Sequence, residues 1–143
     1  MAVQFTRIAV KIGSNVLARK DGTLDVTRMS ALVDRWRNCA KRGGSHSDFI
    51  RGGSFGTQRD QASKKLDSVE QRQLFSAVGQ AKLINRYYEL FREHGIPVGQ
   101  VLTTKESFGT RRHYLNQRNC MMVMLENGVI PIVNENDTIR SPN

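Results

Sequence analysis

Short runs of β-branched and apolar residues alternate along this chain with longer stretches whose apolar positions recur at helical spacing, and that alternation leaves few folds open. The run RIAVK, from Arg7 to Lys11, is ended by Gly13 and Ser14 and reads as a buried strand followed by a phosphate-sized turn. Asp25-Val26-Thr27 can cap the next segment, and Met29, Leu32 and Val33 place a first helix from near Thr27. Between Gln71 and His94, Leu74, Val78, Leu83, Tyr87, Leu90 and Phe91 mark buried helical faces interrupted at Gly79, so two helical pieces or one kinked helix are expected. Gly95 and Pro97 stop that segment, and VGQVLTT, from Val98 to Thr104, reads as a second strand. A further helix is expected over Arg111 to Asn127, with Leu115, Cys120 or Met121, Met124 and Leu125 inward, before Gly128 and the strand VIPIV of Val129 to Val133. Strands this apolar, alternating with helices, predict a mainly parallel sheet covered on both faces. Pro131 lacks a ladder donor and suits a strand edge or end.

The 143 residues suffice for one domain. No run of 18 or more apolar residues occurs, and the start MAVQFTRIAVKIG lacks the pattern of a signal peptide, which predicts a soluble, cytoplasmic protein without a membrane partner. Cys39 and Cys120 are far apart and lack metal-ligand spacing, so reduced, unpaired thiols are expected. The net charge of +9 and pI near 10.2 raise the question of a nucleic acid. Distribution argues against one: the basic residues form no continuous stripe, aromatics do not interleave with them, and no nucleic-acid-binding signature is present.

Two polar clusters fall at strand ends. VKIGSNVL, from Val10 to Leu17, puts Lys11 at the carboxyl end of the first strand with Gly13 and Ser14 in the turn beyond it. Ligands of open α/β sheets collect at that edge, and phosphoryl transfer needs cations and backbone amides to take up charge on oxygens. The stretch matches no Walker A pattern, and an ordinary solvated lysine is the plain alternative. Asn134-Glu135-Asn136-Asp137 comes directly after VIPIV and can hold an amino group, a carboxylate or a magnesium-bound water, or can be a polar turn. Both clusters together predict a shared cleft that holds an acidic metabolite beside a triphosphate.

VKIGSNVL, KLDSVEQRQLFSAVGQAKLI, GIPVGQVLTT, the RHYLNQRNC helix and GVIPIVNEND, in this order and spacing, resemble the glutamate 5-kinases of the amino-acid kinase superfamily. The resemblance implies an α/β/α sandwich, incomplete and represented by its N-terminal half, with residues 1–143 forming one partial kinase domain. It implies ATP and Mg2+ as cofactors, L-glutamate as substrate and a homo-oligomer. By the same resemblance Lys11 contacts the ATP phosphates, Gly13 and Ser14 form the phosphate-side loop, Asp137 binds glutamate, and Asn134 lies in the same substrate loop. The family's adenine pocket, a second catalytic lysine and an organising aspartate belong to a C-terminal half that this chain lacks. Carbamate kinases, aspartokinases and uridylate kinases share the first strand and turn but fit the VGQAKLI and VNEND stretches less well.

The pattern breaks between about residues 35 and 60. Where the family has a strand and a Ser-Ser-Gly-Ala turn, this chain reads SHSDFIRGGSFG from Ser45 to Gly56, and Asp48 and Arg51 are expected to prevent a buried parallel strand there. This stretch can be encoded by codons that, read one base later, give Val-Ile-Leu-Ile-Ser-Ser-Gly-Ala-Val-Ala-Ser-Gly. RWRNCAK, from Arg35 to Lys41, can be shifted in the same way to a helical Val-Ala-Glu-Leu-Arg-Lys. IRSPN, from Ile139 to Asn143, can be shifted to Ile-Thr-Val-Thr-Glu. The reading is therefore of frame-shifting insertions or deletions in the gene or its reported sequence, against the alternative of genuine divergence and a natural short form. Such a chain is expected to be catalytically dead or nearly so, and a non-catalytic glutamate-binding or interaction fragment is the competing function.

Overall fold

The computed structural model describes residues 7–42, 47–51 and 68–136. In chain order they form β1 (Arg7–Lys11), α1 (Ser14–Leu17), α2 (Val26–Arg42), β2 (Ser47–Arg51), α3 (Ser68–Arg92), β3 (Val98–Thr103), a 3-10 turn (Lys105–Phe108), α4 (Arg111–Glu126) and β4 (Ile130–Glu135). The strands make a four-stranded sheet of order β1-β2-β4-β3, parallel at every pairing. One face is closed by Leu17 of α1, Met29 and Val33 of α2, and Leu83, Tyr87, Leu90 and Phe91 of α3, packed on Ile130 and Ile132 of β4. The opposite face carries α4, so the architecture is the expected α/β/α arrangement around a parallel sheet.

Local chemistry explains the element ends. Asp25 Oδ1 accepts the Arg28 N–H at 3.1 Å, capping α2, which begins at Val26. The Thr110 hydroxyl caps α4 by accepting the His113 N–H at 3.3 Å. At the far ends Gly95 and Gly128 both take φ near 70°, which lets Ile96 N–H return to Phe91 O at 3.1 Å and Val129 N–H to Met124 O at 2.8 Å. His94 Nε2 lies 3.0 Å from Asp34 Oδ1 and ties the end of α3 to α2.

Several expectations change: β1, expected to be buried, contains no fully buried residue, and Leu74 and Val78 of α3, expected on buried faces, are exposed. Helix α3 runs unbroken through Gly79; a lone glycine weakens a helix by about 1 kcal/mol but removes no hydrogen bond, and burial of Leu83, Tyr87 and Phe91 outweighs that cost. Pro131 sits in an inner strand, β4, and as its second residue takes the strand-end position expected rather than an edge. It is tolerated because backbone groups alternate along a strand: Ile130 N–H points to β3 and bonds Pro97 O at 2.9 Å, so position 131 faces β2, whose registered pairs with β4 are only Ile50↔Ile132 and Arg51↔Val133. Ser47–Arg51 does form a parallel strand despite Asp48 and Arg51, registered with β1 from Arg7↔Ser47 to Lys11↔Arg51. A slot flanked by two parallel strands is filled by backbone donors and acceptors, which do not depend on the side chains. Finally, α4 buries no residue fully: Leu115 and Cys120 are exposed, and Met121, Met124 and Leu125 are half-buried. Its periodicity marks an apolar face, and the sheet covers only part of it.

Candidate functional site

The carboxyl edge of the sheet gathers the ends of β1 and β4. Lys11, the last residue of β1, is exposed, and Ile12 behind it is buried in the core. Gly13 then faces open space: a Cβ built there meets no atom within 4 Å, so its backbone can be approached closely. Ser14 begins the short helix α1, whose Val16 N–H bonds Gly13 O at 3.0 Å. An ammonium beside an unobstructed glycine turn fits the phosphates of a nucleotide. Among the described residues no group of three or more His, Cys, Asp or Glu could hold a metal ion.

At the end of β4, Asn134 is 2% exposed, and neither its side-chain oxygen nor its nitrogen has a hydrogen-bond partner among the described residues. Buried amides are rarely left in that condition, because each unmet group keeps its desolvation cost. The backbone around it is held firmly. Thr103 Oγ1 donates to Asn134 O at 3.3 Å, and Asn136 N–H donates to Thr103 O at 2.8 Å. The buried Gln80 of α3 donates from Nε2 to Glu135 O at 2.7 Å and reaches Ser76 Oγ at 3.3 Å. Asp137 lies outside the described residues.

The expected cleft was to be shared by Lys11 and the cluster around Asp137, and of that cluster Asn134, Glu135 and Asn136 are among the described residues. Lys11 and Asn134 end strands that flank β2 at one edge. Strand alternation nevertheless sends them to opposite faces: Asn134 is in phase with Ile130 and Ile132 on the α2–α3 side, whereas Lys11 is out of phase with the core-packed Val10. A ligand touching both has to lie over the edge itself. Ser76, Gln80 and Thr103 were not singled out from the sequence. The signal for the first two was present, since Ser76 and Gln80 continue the buried stripe of Leu83 and Tyr87 one and two turns earlier, polar residues where apolar ones are the rule.

Comparison with known proteins places these features in a lineage. The amino acid kinase family profile matches residues 6–143. The chain is 74% identical over 141 residues to a glutamate 5-kinase of Bacteroides thetaiotaomicron, covering 97% of this chain and 39% of that protein. It is 37% identical over 137 residues to a glutamate 5-kinase of Chlorobaculum tepidum, covering 94% of this chain and 38% of that protein. The chain therefore spans about two-fifths of the length of these curated relatives. Among solved structures, UMP kinase from Bacillus anthracis superimposes with a TM-score of 0.54 at 20% identity, over 90% of this chain and 52% of that one. Aspartate kinase from Synechocystis does so with a TM-score of 0.52 at 15% identity, over 87% of this chain and 21% of that one. These two likenesses concern the fold alone, the same parallel sheet with helices on both faces. Profile, relatives and sheet topology agree, and the chain belongs to the amino acid kinase family.

Proposed function

We propose that this chain is the glutamate-binding portion of a glutamate 5-kinase, the enzyme that converts MgATP and L-glutamate into ADP and glutamyl 5-phosphate at the start of proline synthesis. The observation that carries the reading is the 74% identity to a protein of that name over 141 residues. The strand-end geometry is compatible with it. Lys11 stabilises phosphate charge beside Gly13 and Ser14, while Asn134 and Asp137 hold the amino acid on the neighbouring loop. When bound, MgATP supplies the transferable phosphoryl group; the chain's own residues orient the acceptor carboxylate and neutralise charge. Among the described residues no helix is long and apolar enough to cross a membrane. A cytoplasmic, homo-oligomeric parent enzyme completes the proposal.

Because the chain spans 39% of the length of that relative, binding without turnover is the activity expected of it alone. Titration calorimetry is expected to show uptake of L-glutamate, and a coupled ADP-release assay no turnover above background. A chain that takes up no glutamate contradicts the substrate assignment. Turnover that Lys11→Ala abolishes contradicts the inactivity. Genomic DNA across residues 35–60 and beyond Asn143 tests the frameshift reading, which codons that forbid the shifted translation refute.

A further inference from the structure

We infer that Gln80 is a positioning residue for the proposed glutamate site: its buried side-chain amide holds the Glu135–Asn136 peptide group, next to Asn134. This role rests on the glutamate-binding reading above. Backbone groups alternate along β4, so Asn134 and Asn136 turn toward β3, where Thr103 meets both, and Glu135 turns toward β2. Among the described residues, β2 and β4 are registered at Ile50↔Ile132 and Arg51↔Val133. Gln80 Nε2 donates to Glu135 O at 2.7 Å, on this β2-facing side.

The choice of residue is explained by that task. Gln80 is 6% exposed, and its neighbour one turn earlier, Ser76, is 7% exposed and 3.3 Å away, orienting the amide. A buried amide has to be matched, and a helix face otherwise made of Leu83, Tyr87 and Phe91 would pack as well or better with an apolar residue. The donor is aimed at one carbonyl, beside Asn134, whose side chain has no partner among the described residues. Helix α3 thereby fixes the backbone at Glu135 and Asn136, and with it the end of β4 that carries Asn134.

Gln80→Met keeps the length and removes the donor; Gln80→Glu keeps the shape and places an acceptor against the carbonyl. Each variant and the parent chain are titrated with L-glutamate, and the amide resonances and melting temperature are recorded without ligand. The expected result is glutamate affinity lower by about tenfold in Gln80→Met and by more in Gln80→Glu, the loss expected of one buried hydrogen bond. The Asn136 15N resonance, which belongs to the peptide group that Gln80 holds, is expected to move while the core residues of α2 keep their shifts. Unchanged affinity in Gln80→Met with the parent still binding overturns the positioning role and leaves the glutamate reading intact. A parent chain that binds no glutamate overturns the glutamate reading instead. In that event an Asn136 resonance that moves in Gln80→Met still establishes the hold on that peptide group, and one that stays in place removes it.

Discussion

The two faces of the sheet are built to different standards. On the α2–α3 face, Leu17, Met29, Leu83, Tyr87, Phe91 and Ile132 are wholly buried, and Trp36 meets Phe91 edge to face with ring centroids 5.2 Å apart. On the α4 face no helical residue is fully buried, Phe108, Tyr114, Leu115 and Val123 stand 42–63% exposed, and a groove of about 290 Å3 runs between β1 and α4 along Ala9, Tyr114, Met121 and Leu125. Stability therefore resides on one side of the sheet. The end of β4 at Glu135 is anchored to that side through Gln80, so the part of the candidate site that needs fixed geometry is attached to the part of the fold that can supply it.

The largest test of this asymmetry truncates one aromatic on each side. Phe91→Ala is expected to lose about 3–5 kcal/mol, enough to unfold a marginal domain, because it opens a cavity in a closed core. Phe108→Ala, at a residue 63% exposed, is expected to change stability by no more than about 0.5 kcal/mol. Urea unfolding monitored by circular dichroism measures both, and equal losses would dissolve the contrast between the faces.

A smaller effect probes a close approach of α4 to the sheet. A Cβ at Gly99 of β3 would run into the terminal methyl of Met124, the flexible end of a side chain. Gly99→Val is expected to cost about 1–3 kcal/mol by pushing α4 outward, and Gly99→Ala less, since Met124 can turn aside. If Gly99→Val were neutral, α4 would be resting on the sheet too loosely for even this contact to count.

The sequence made the architecture legible because its signals are local and periodic: the β-branched runs, the stripe through Leu83 and Tyr87, and the glycine stops at Gly95 and Gly128. It was misleading where the outcome depends on what lies opposite. Leu115 and Leu125 have the spacing of inward residues, yet spacing does not say whether a partner surface reaches them. Ser47–Arg51 lacks the composition of a central strand and becomes one because β1 and β4 leave it a place. Lys11 and Asn134 were both identifiable as strand-end residues, but their opposite faces come from register, which is a property of pairing between distant segments. Gln80 is a further instance, since its importance lies in a carbonyl 55 positions away.

The closed face also contains a defect whose removal is expected to have the smallest effect. Tyr87 is wholly buried, and its hydroxyl has no hydrogen-bond partner among the described residues. Burial pushes the phenol above its ordinary range, because the phenolate would have to be held without water. A raised folded-state pKa favours the neutral form, so the contribution is complete below the unfolded value of about 10 and is lost as the solution becomes more alkaline. Tyr87→Phe removes the unmet hydroxyl and the titration together. It is expected to leave stability at pH 7 unchanged or raised by up to about 1 kcal/mol, and to flatten the fall in melting temperature between neutral and strongly alkaline solution. Spectrophotometric titration of the tyrosines gives an independent check, since the substitution is expected to remove one phenol that resists ionisation until unfolding. A loss of more than about 1 kcal/mol on removing the hydroxyl would mean that it does have a partner and that the α2–α3 core is hydrogen-bonded where it looks purely apolar.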